Sequence, residues 1–359
     1  MLESFAGDLQ RCAVCHDQCL FATPEVFATG KQTLATSRKA MLIDAVRRGH
    51  LTWSPSLVDI VYAGLSSGVQ HAVCVHHGNP DGWPDESTYV WAARAAIVES
   101  GMAPRWAQQV RDRWQETGDP YGQPEGGITY RGEQTAFFLD AASRALTPEC
   151  PRLWLDVVQR LGLEAGLIIT GSSGFELYDL GFVKEARMAA GQLHRHLTAL
   201  DAVTLVSDSP ETVYMLRHAW PQWELTLRAT ILHASQWLDR LLEGRAITLE
   251  TAVSNLTFHD PAYLARYLGD TESPRRLLSR LGVRLVEMLR HGIEAPPSGS
   301  FYGNALGSWV SRIASERTAS AQAAGAAGII VASPFDFRNL QGALPIIDLS
   351  QLALLRLSQ

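Results

Sequence analysis

Residues 11–24, RCAVCHDQCLFATP, hold three of the five cysteines of this chain. Cys12, Cys15 and Cys19 follow the spacing C-x2-C-x3-C, and a fourth cysteine, Cys74, closes the segment GLSSGVQHAVC. Closely spaced cysteines, odd in number, in a chain whose first residues show no export signal indicate metal ligands in a reducing compartment rather than disulfides. We therefore predict that these four cysteines form one metal site in a cytoplasmic protein.

The four cysteines match the ligand pattern of one cluster in a two-cluster bacterial ferredoxin. In such proteins the first three cysteines of each run bind one cluster, and the fourth binds the other, usually just before a proline. The positions expected for the second cluster hold Thr23, Gly64, Ser67 and Gln70. Every missing ligand thus belongs to the same cluster, so the pattern predicts a single [4Fe-4S] cluster. Because the first run is one residue longer than usual, we expect the loop before Cys19 to bulge.

Histidines crowd the two cysteine segments, at His16, His71, His76 and His77. A mixed Cys/His set could bind zinc, and zinc is the alternative cofactor for the four cysteines. The plainer interpretation is that these histidines lie at the surface or near the cluster, where hydrogen bonds to its sulfurs would tune its potential. Cys150 stands apart, before a proline at a predicted helix start, and we expect it to be a buried small residue.

The overall composition is that of an ordinary globular protein. The chain has 359 residues, 46% of them hydrophobic, and a formal net charge of -6. It carries no basic cluster, so we exclude nucleic acid as its main ligand. No uninterrupted apolar segment approaches the roughly 20 residues that a bilayer requires. We expect membrane association only through a partner.

The N-terminal part is predicted to be helical. Thr36 or Ser37 is expected to cap one helix, and Ser54 followed by Pro55 opens a second. Residues 88–116 are predicted to form two further helices, because a glycine and a proline interrupt the pattern. The cysteine segments therefore flank helices, as in an α-helical relative of a small ferredoxin.

From about residue 135, short apolar strands alternate with helices. The predicted strands are 136–139, 167–170, 203–207, 254–258, 284–288, 328–332 and 345–349, and the clearest helices are 154–161, 183–199 and 305–323. Strands separated by long helices indicate parallel α/β units with right-handed crossovers. The pattern occurs twice, since a glycine-rich loop precedes a long helix and the next strand ends in a Ser-Pro step in both halves. This repeat indicates a duplicated domain.

These patterns predict an α+β protein in four segments. Residues 1–118 form an α-helical ferredoxin-like module with one cluster, and 119–133 form a linker that contains DPYGQPEGG. Residues 134–250 and 251–359 form two duplicated α/β domains with parallel sheets.

This arrangement resembles the heterodisulfide reductase B/D-type iron–sulfur proteins, which are related to the glycolate oxidase iron–sulfur subunit and the anaerobic glycerol-3-phosphate dehydrogenase C subunit. Besides the cysteine runs, the resemblance rests on residues 257–288, TFHDPAYLARYLGDTESPRRLLSRLGVRLVEM, and 325–340, GAAGIIVASPFDFRNL. It covers nearly the full length. In that family each α/β (CCG-type) domain carries a Cys-Cys-Gly step and a later Cys-Pro-x-Cys step, which hold a cluster or a reactive dithiol.

This chain has lost those cysteines. In the first domain the Cys-Cys-Gly step corresponds to Ser172, Ser173 and Gly174, and the Cys-Pro-x-Cys step to Ser209, Pro210, Glu211 and Thr212. In the second domain the two steps correspond to Phe301, Tyr302 and Gly303, and to Ser333, Pro334, Phe335 and Asp336. Ala262 stands at the cysteine position of the family's HDPC step. Serine is a harder and far less acidic ligand than cysteine, so we expect no cluster at these positions. The family's cysteine-based activity is therefore not expected here.

Two further patterns have plain explanations. GSSG at 171–174 could bind phosphate on its backbone amides, but it lacks the full dinucleotide fingerprint, and we interpret it as a remnant of the Cys-Cys-Gly turn. His259 and Asp260, with Asp208 and Asp336 at other strand ends, could form the acid/base set of a hydrolytic or transfer enzyme. Because the HDP step belongs to the fold of the family that this chain resembles, we expect a structural role.

The cysteine pattern and the resemblance imply a non-catalytic electron-transfer subunit of a heteromeric oxidoreductase complex. Its partner would be a flavin-containing dehydrogenase or another redox subunit, and its α/β domains would serve for docking. The alternative is a structural or assembly pseudo-subunit whose cysteines bind zinc or no metal.

Overall fold

The computed structural model describes residues 2–74, 86–124, 126–245 and 253–357. His76 and His77 lie outside the described residues. Among the described residues, none of the helices combines the length and the apolar character that crossing a membrane would require.

The N-terminal part consists of helices. These are α1 (Ala6–Ala13), α2 (Pro24–Thr29), α3 (Thr36–Arg47), α4 (Pro55–Tyr62), α5 (Val69–Ala72), α6 (Glu86–Glu99) and α7 (Arg105–Thr117), with 3-10 helices at Leu2–Phe5, Leu20–Ala22 and Gln32–Leu34. Ser54 caps α4 as predicted, since its Oγ accepts a hydrogen bond from the Leu57 N–H at 3.4 Å. The predicted cap of α3 is wrong: Thr36 and Ser37 lie inside the helix, and Ala35 is the N-cap. Their hydroxyls are thus available for tertiary contacts.

The rest of the chain forms two α/β units. The first contains β1 (Ile128–Thr129), β2 (Thr135–Phe138), α8 (Ala141–Leu146), α9 (Cys150–Arg160), β3 (Gly166–Ile168), α10 (Phe175–Asp179), α11 (Val183–Thr198), β4 (Thr204–Ser207), α12 (Pro210–Tyr214), β5 (Thr230–His233) and α13 (Ala234–Leu242). The second contains β6 (Val253–Phe258), α14 (Glu272–Arg280), β7 (Val283–Leu285), α15 (Val310–Ala323), β8 (Gly328–Val331), α16 (Pro334–Asn339), β9 (Ile346–Asp348) and α17 (Leu349–Arg356). Short π-helices occur at Met215–Ala219 and Tyr263–Tyr267, and 3-10 helices at Trp220–Trp223, Gly292–Glu294 and Gly303–Leu306.

Each unit contains one sheet. The first has the order β1-β3-β2-β4-β5, with β1 antiparallel and the other neighbours parallel, and the second has the order β7-β6-β8-β9, with all neighbours parallel. If the four parallel strands of each unit are numbered along the chain, both sheets have the order 2-1-3-4. The predicted fold class is confirmed.

The strand predictions omit β1 and β5. The two-residue strand β1 lies inside the segment predicted as a linker and pairs with β3. The long helix predicted from residue 305 begins only at Val310, because Gly307 has φ 117° and interrupts it. The segment boundaries at 118, 133 and 250 stay a prediction.

The carboxyl ends of the two sheets face each other. One hydrophobic cluster spans both units and includes Phe137, Trp154, Trp237, Phe258 and Ile330. At the polar end of this interface, the imidazole Nε2 of His233 lies 3.3 Å from the carbonyl oxygen of Asp208 and 3.0 Å from that of Ala332, after β8. Burial lowers the pKa of His233 to about 4, so this bridge is made by a neutral ring.

Candidate metal centre

The four predicted cysteine ligands line one cavity in the helical part. Cys12 belongs to α1, Cys15 and Cys19 lie in the loop that follows it, and Cys74 lies just beyond α5. Cys12 is 9% exposed, and the other three are half-buried. The fold therefore brings together thiols that are more than 50 residues apart in sequence and leaves them close to the surface.

The extra residue before Cys19 is accommodated by a left-handed backbone at Asp17. Its φ is 55°, a conformation that aspartate adopts more readily than most residues. The Asp17 carboxylate accepts hydrogen bonds from the N–H of Ser37 at 3.1 Å and from the Ser37 hydroxyl at 2.6 Å. These contacts hold the cysteine loop against α3. Cys19 thus lines the cavity together with the other three cysteines.

Polar side chains complete the wall of the cavity. They are Asp17, Thr36, Ser37, Gln70, His71 and Glu86. Of the four histidines noted in the sequence, His71 lines the cavity and is half-buried, whereas His16 is exposed. Gln70, expected at a ligand position of the second cluster, faces the cysteines instead.

Without a bound metal, the inner thiols of the cavity hold their protons. Burial raises the pKa of Cys12 to about 12, and a hydrogen bond with Tyr89 offsets this only in part. Burial also raises the pKa of Cys19 to about 12, and a hydrogen bond with Thr36 offsets part of this rise. The charge of Glu86 raises the pKa of both thiols further. Metal ligation requires thiolates, so binding would release these protons, and the charge of the metal would stabilise the thiolates.

A single metal ion and a four-iron cluster require different spacings of the cysteine sulfurs. Among the described residues, no three His, Cys, Asp or Glu side chains are grouped closely enough to hold one ion. Tetrahedral zinc, with Zn–S bonds of about 2.3 Å, would bring four sulfurs within roughly 4 Å of each other. In a four-iron cluster each cysteine binds its own iron, so the sulfurs stay further apart.

Buried charge lies beside Gly64, one of the four positions expected for a second cluster. The Glu25 carboxylate accepts a hydrogen bond from the Leu65 N–H at 3.1 Å, and the ammonium group of Lys39 lies 3.8 Å from Glu25 and contacts Glu86. A Cβ added to Gly64, the first expected ligand position, would lie 3.6 Å from the Lys39 ammonium nitrogen. This place is therefore occupied by protein.

Hydroxyl groups fill the first degenerate cysteine site. Ser173 and Thr212, which stand where the resemblance places a cysteine of each step, lie with their oxygens 3.3 Å apart. Both donate hydrogen bonds to Asp140, at 3.2 Å from Ser173. Ser209 caps α12 by accepting from the Thr212 N–H at 3.2 Å. The structure brings the two steps together, but as a closed hydrogen-bonded cluster.

Aromatic rings fill the second degenerate site. The rings of Phe301 and Phe335, one from each step, are 4.9 Å apart between centroids and nearly perpendicular. Phe175 of the first unit packs edge-on against Phe301 at 4.9 Å, and Tyr263 joins the same cluster. Ala262, where the resemblance would place the cysteine of the HDPC step, is buried beside them. These rings form an apolar contact between the two units.

The GSSG turn packs tightly against α11. Gly174 has φ 87°, and a Cβ there would lie 2.7 Å from the carbonyl oxygen of Ala186. The Ser172 hydroxyl accepts a hydrogen bond from the Gly174 N–H at 3.1 Å. Glycine is thus required by the turn and by the close approach of the helix, which supports the structural interpretation.

The residues considered as an acid/base set are buried and lie against other polar side chains. The ring of His259 is fully buried between Arg317, whose Nε lies 3.0 Å from Nδ1, and Asp336, whose Oδ1 lies 3.3 Å from Nε2. Asp260 accepts two hydrogen bonds from Arg275, at 2.7 and 3.0 Å. Asp208 accepts a hydrogen bond from Ser143 at 2.6 Å. These contacts fit a structural role.

The sequence interpretation missed Glu176 and Asp140, two buried carboxyls at the interface of the two units, although it named Asp208, which is also buried. Burial raises the pKa of Glu176 to about 8, and Asp140 adds repulsion. Burial likewise raises the pKa of Asp208 to about 8. The signal that could have found Asp140 is its place after β2, where it caps α8 by accepting from the N–H groups of Ala142 and Ser143.

Cys150 is buried, as expected, with 2% of its surface exposed. Its thiol donates to Asp348 at 3.4 Å. Burial raises its pKa, so it is an inert thiol away from the cavity.

No family model matches the chain. It is 29% identical over 149 residues to a probable membrane-anchored ferredoxin of Chromohalobacter salexigens, a match that covers 40% of this chain and 22% of the relative. It is 37% identical over 62 residues to the D component of the dihydromethanophenazine:CoB–CoM heterodisulfide reductase of Methanosarcina barkeri, covering 17% of this chain and 15% of the relative. The matches thus span less than a quarter of either relative. They support an iron–sulfur protein family.

A crystal structure of a hypothetical protein from Helicobacter pylori has a similar fold. The TM-score is 0.56 at 11% identity, and the match covers 100% of this chain and 76% of the other. At this identity the similarity concerns the fold alone.

Proposed function

We propose that this protein is a non-catalytic electron-transfer subunit that carries one [4Fe-4S] cluster on Cys12, Cys15, Cys19 and Cys74. It would act in a heteromeric oxidoreductase complex of the cytoplasm, beside a flavin-containing dehydrogenase or a related redox subunit. The observation that carries the proposal is that these four thiols, from separate parts of the helical region, line one cavity. The similarity to proteins named as a ferredoxin and as a component of a heterodisulfide reductase agrees with it.

The donor set of the cavity fits such a cluster. Four cysteines are the ligands that a [4Fe-4S] cluster requires, and four cysteines line this cavity. When bound, the cluster would supply a centre that accepts and releases one electron at a time. The chain contributes the position of the thiols, through α1, the Asp17 bulge and the end of α5.

Partial exposure of the cysteines fits exchange of electrons with another protein. Cys15, Cys19 and Cys74 are half-buried, so the cavity lies at the surface rather than in a core. A second redox centre would therefore approach from outside this chain. A single cluster, with no further cysteine ligand set in the described parts of the two α/β units, implies that the partner supplies the next centre.

The α/β units support docking rather than catalysis in this proposal. Both places where the related family holds cysteines are closed, one by hydroxyl groups around Asp140 and one by the rings of Phe301 and Phe335. Neither retains a thiol or an open metal site among the described residues.

Metal and sulfide analysis of the anaerobically purified protein tests the proposal. We expect iron and acid-labile sulfide in equal amounts and a broad absorbance near ~400 nm from thiolate-bound iron. Cys74→Ala should abolish both. Cys150→Ala is the matched control, because Cys150 is buried in α9 and away from the cavity. A wild-type protein without iron would refute the proposal.

An assembly subunit whose cysteines bind zinc is the second candidate. The observation that favours it is His71, which lines the cavity beside the cysteines and could complete a mixed ligand set. Zinc without iron and sulfide would establish this alternative. Co-purification of the partner would separate an electron-transfer complex from a purely structural one, because a redox partner brings its own cofactor.

A further inference from the structure

A network of three charged side chains is sealed inside the helical region. Lys39 and Glu25 are fully buried, and Glu86 is 6% exposed. The ammonium group of Lys39 contacts the Glu86 carboxylate and lies 3.8 Å from that of Glu25. Burial alone would lower the pKa of Lys39, but Glu86 and Glu25 outweigh it, and the pKa is raised. Lys39 therefore carries a fixed positive charge.

The network lies beside Gly64, one of the four positions expected for ligands of a second cluster. Glu25 follows Thr23 by two residues and holds the Leu65 N–H, next to Gly64. The Lys39 ammonium nitrogen lies 3.6 Å from where a side chain on Gly64 would begin. The space beside Gly64 therefore holds a compact group of charged side chains.

The same network reaches the retained cavity. Glu86 lines the cavity together with the four cysteines, and Thr36, also in its wall, donates to Glu86 at 2.9 Å. Glu86 acts on the thiols electrostatically, since its charge contributes to raising the pKa of both Cys12 and Cys19. In this buried setting solvent screens such charges little.

We propose that Lys39 and Glu86 are positioning residues that set the reduction potential of the cluster at the cysteine cavity. This inference rests on the proposed function, because it requires a cluster on Cys12, Cys15, Cys19 and Cys74. Reduction adds one negative charge to the cluster. The Lys39 ammonium stabilises that charge and the Glu86 carboxylate opposes it, so the two residues shift the potential in opposite directions.

The test is the midpoint potential of the anaerobically purified protein, followed by electron paramagnetic resonance during a redox titration. Lys39→Met should lower the midpoint and Glu86→Gln should raise it. We expect each to change the ratio of oxidised to reduced cluster at a fixed potential about tenfold, or about 59 mV for a one-electron couple. The double variant, which removes one charge of each sign, should return towards the wild-type midpoint.

Two exposed residues provide matched controls. Glu99 lies at the other end of α6 from Glu86, roughly 20 Å away along the helix, and Lys31 is exposed in the same helical region. Glu99→Gln and Lys31→Met make the same chemical changes in solvent. The change in midpoint potential in these controls should be only a small fraction of the shifts in Glu86→Gln and Lys39→Met.

The outcomes separate this inference from the proposed function. Absence of iron in the wild-type protein would overturn the proposed function and this inference with it. Loaded variants with the wild-type midpoint, or shifts in the same direction for Lys39→Met and Glu86→Gln, would overturn this inference alone, because a merely structural role gives no opposite signs. If Lys39→Met does not fold, Glu86→Gln decides the question, since its amide can still accept the hydrogen bond from Thr36.

Discussion

Ser37 donates two hydrogen bonds to the carboxylate of Asp17, one from its backbone N–H at 3.1 Å and one from its hydroxyl at 2.6 Å. The pair ties the loop that carries Cys15 and Cys19 to α3. It explains how a cysteine run one residue longer than usual can present Cys19 to the same cavity as Cys12, because the extra length is taken up at the left-handed Asp17.

Loss of this anchor should weaken retention of the cluster. Ser37→Ala removes the hydroxyl contact to Asp17 while the helix and its N–H remain, so we expect the protein to lose iron several times faster under air or chelator. The decay of absorbance near ~400 nm measures this. Ser56→Ala, an exposed serine at the start of α4, should behave as wild type. Equal decay rates for the two variants would show that the Asp17 contact does not support the site.

The geometry of the first degenerate site predicts that a pair of cysteines there can be joined. The oxygens of Ser173 and Thr212 are 3.3 Å apart, so sulfurs at these positions would lie within reach of a disulfide. We expect the double variant Ser173→Cys, Thr212→Cys to form this bond after mild oxidation. Intact mass with and without reduction measures it, since the bond removes two hydrogen atoms.

Each single variant at this site is the control, and neither should form an internal disulfide. The reduced double variant should be less stable than wild type by about 1–3 kcal/mol, because the buried carboxylate of Asp140 loses two hydroxyl donors. Free thiols in the double variant after oxidation would contradict the prediction. They would show that sulfurs at positions 173 and 212 do not come within bonding distance.

The sequence predicted the parts of this molecule whose signals are local. The Ser54–Pro55 helix start, the buried Cys150 and most strands of both sheets follow from capping, size and apolar runs. The two-residue strand β1 carries too short a pattern to be recognised, and β5 begins with an exposed threonine. Such strands are specified by their neighbours in the sheet rather than by their own residues.

The sequence also predicted which cysteines line one cavity, because the ligand pattern of a two-cluster ferredoxin groups Cys74 with the first cysteine run although more than 50 residues separate them. It could not place Lys39 or Asp140. Each is one charged residue in a helical or strand-end pattern, and its burial depends on contacts with distant segments, such as those with Glu86 and Thr212. The cap of α3 was wrong for the same reason, since Ser37 is held by Asp17, 20 residues earlier.

His259 should matter for stability and not for the cluster. His259→Leu removes the ring between Arg317 and Asp336 and leaves both charges buried without it. We expect the free energy of unfolding to fall by about 2–4 kcal/mol, measured by urea denaturation, with unchanged iron content. His50→Leu, an exposed histidine, should change it by less than about 0.5 kcal/mol. Loss of activity of the complex without loss of stability would instead revive a catalytic role for His259.

The free energy of unfolding should fall as the pH rises above about 4.5, because Glu176 keeps its proton in the folded protein. Burial raises the pKa of this carboxyl from 4.5 to about 8, with repulsion from Asp140 added and a hydrogen bond from Tyr121 offsetting part of the rise. Between these values the unfolded chain has released the proton while the folded protein still holds it. The free energy of unfolding therefore falls as the pH increases and reaches its lower level above about 8. Glu176→Gln removes this titration. We expect the variant to gain roughly 2–4 kcal/mol over wild type at high pH and little at low pH, measured as urea midpoints at both. Glu164→Gln, at an exposed position, should keep the wild-type dependence, and an unchanged slope in Glu176→Gln would assign the pH dependence to other groups.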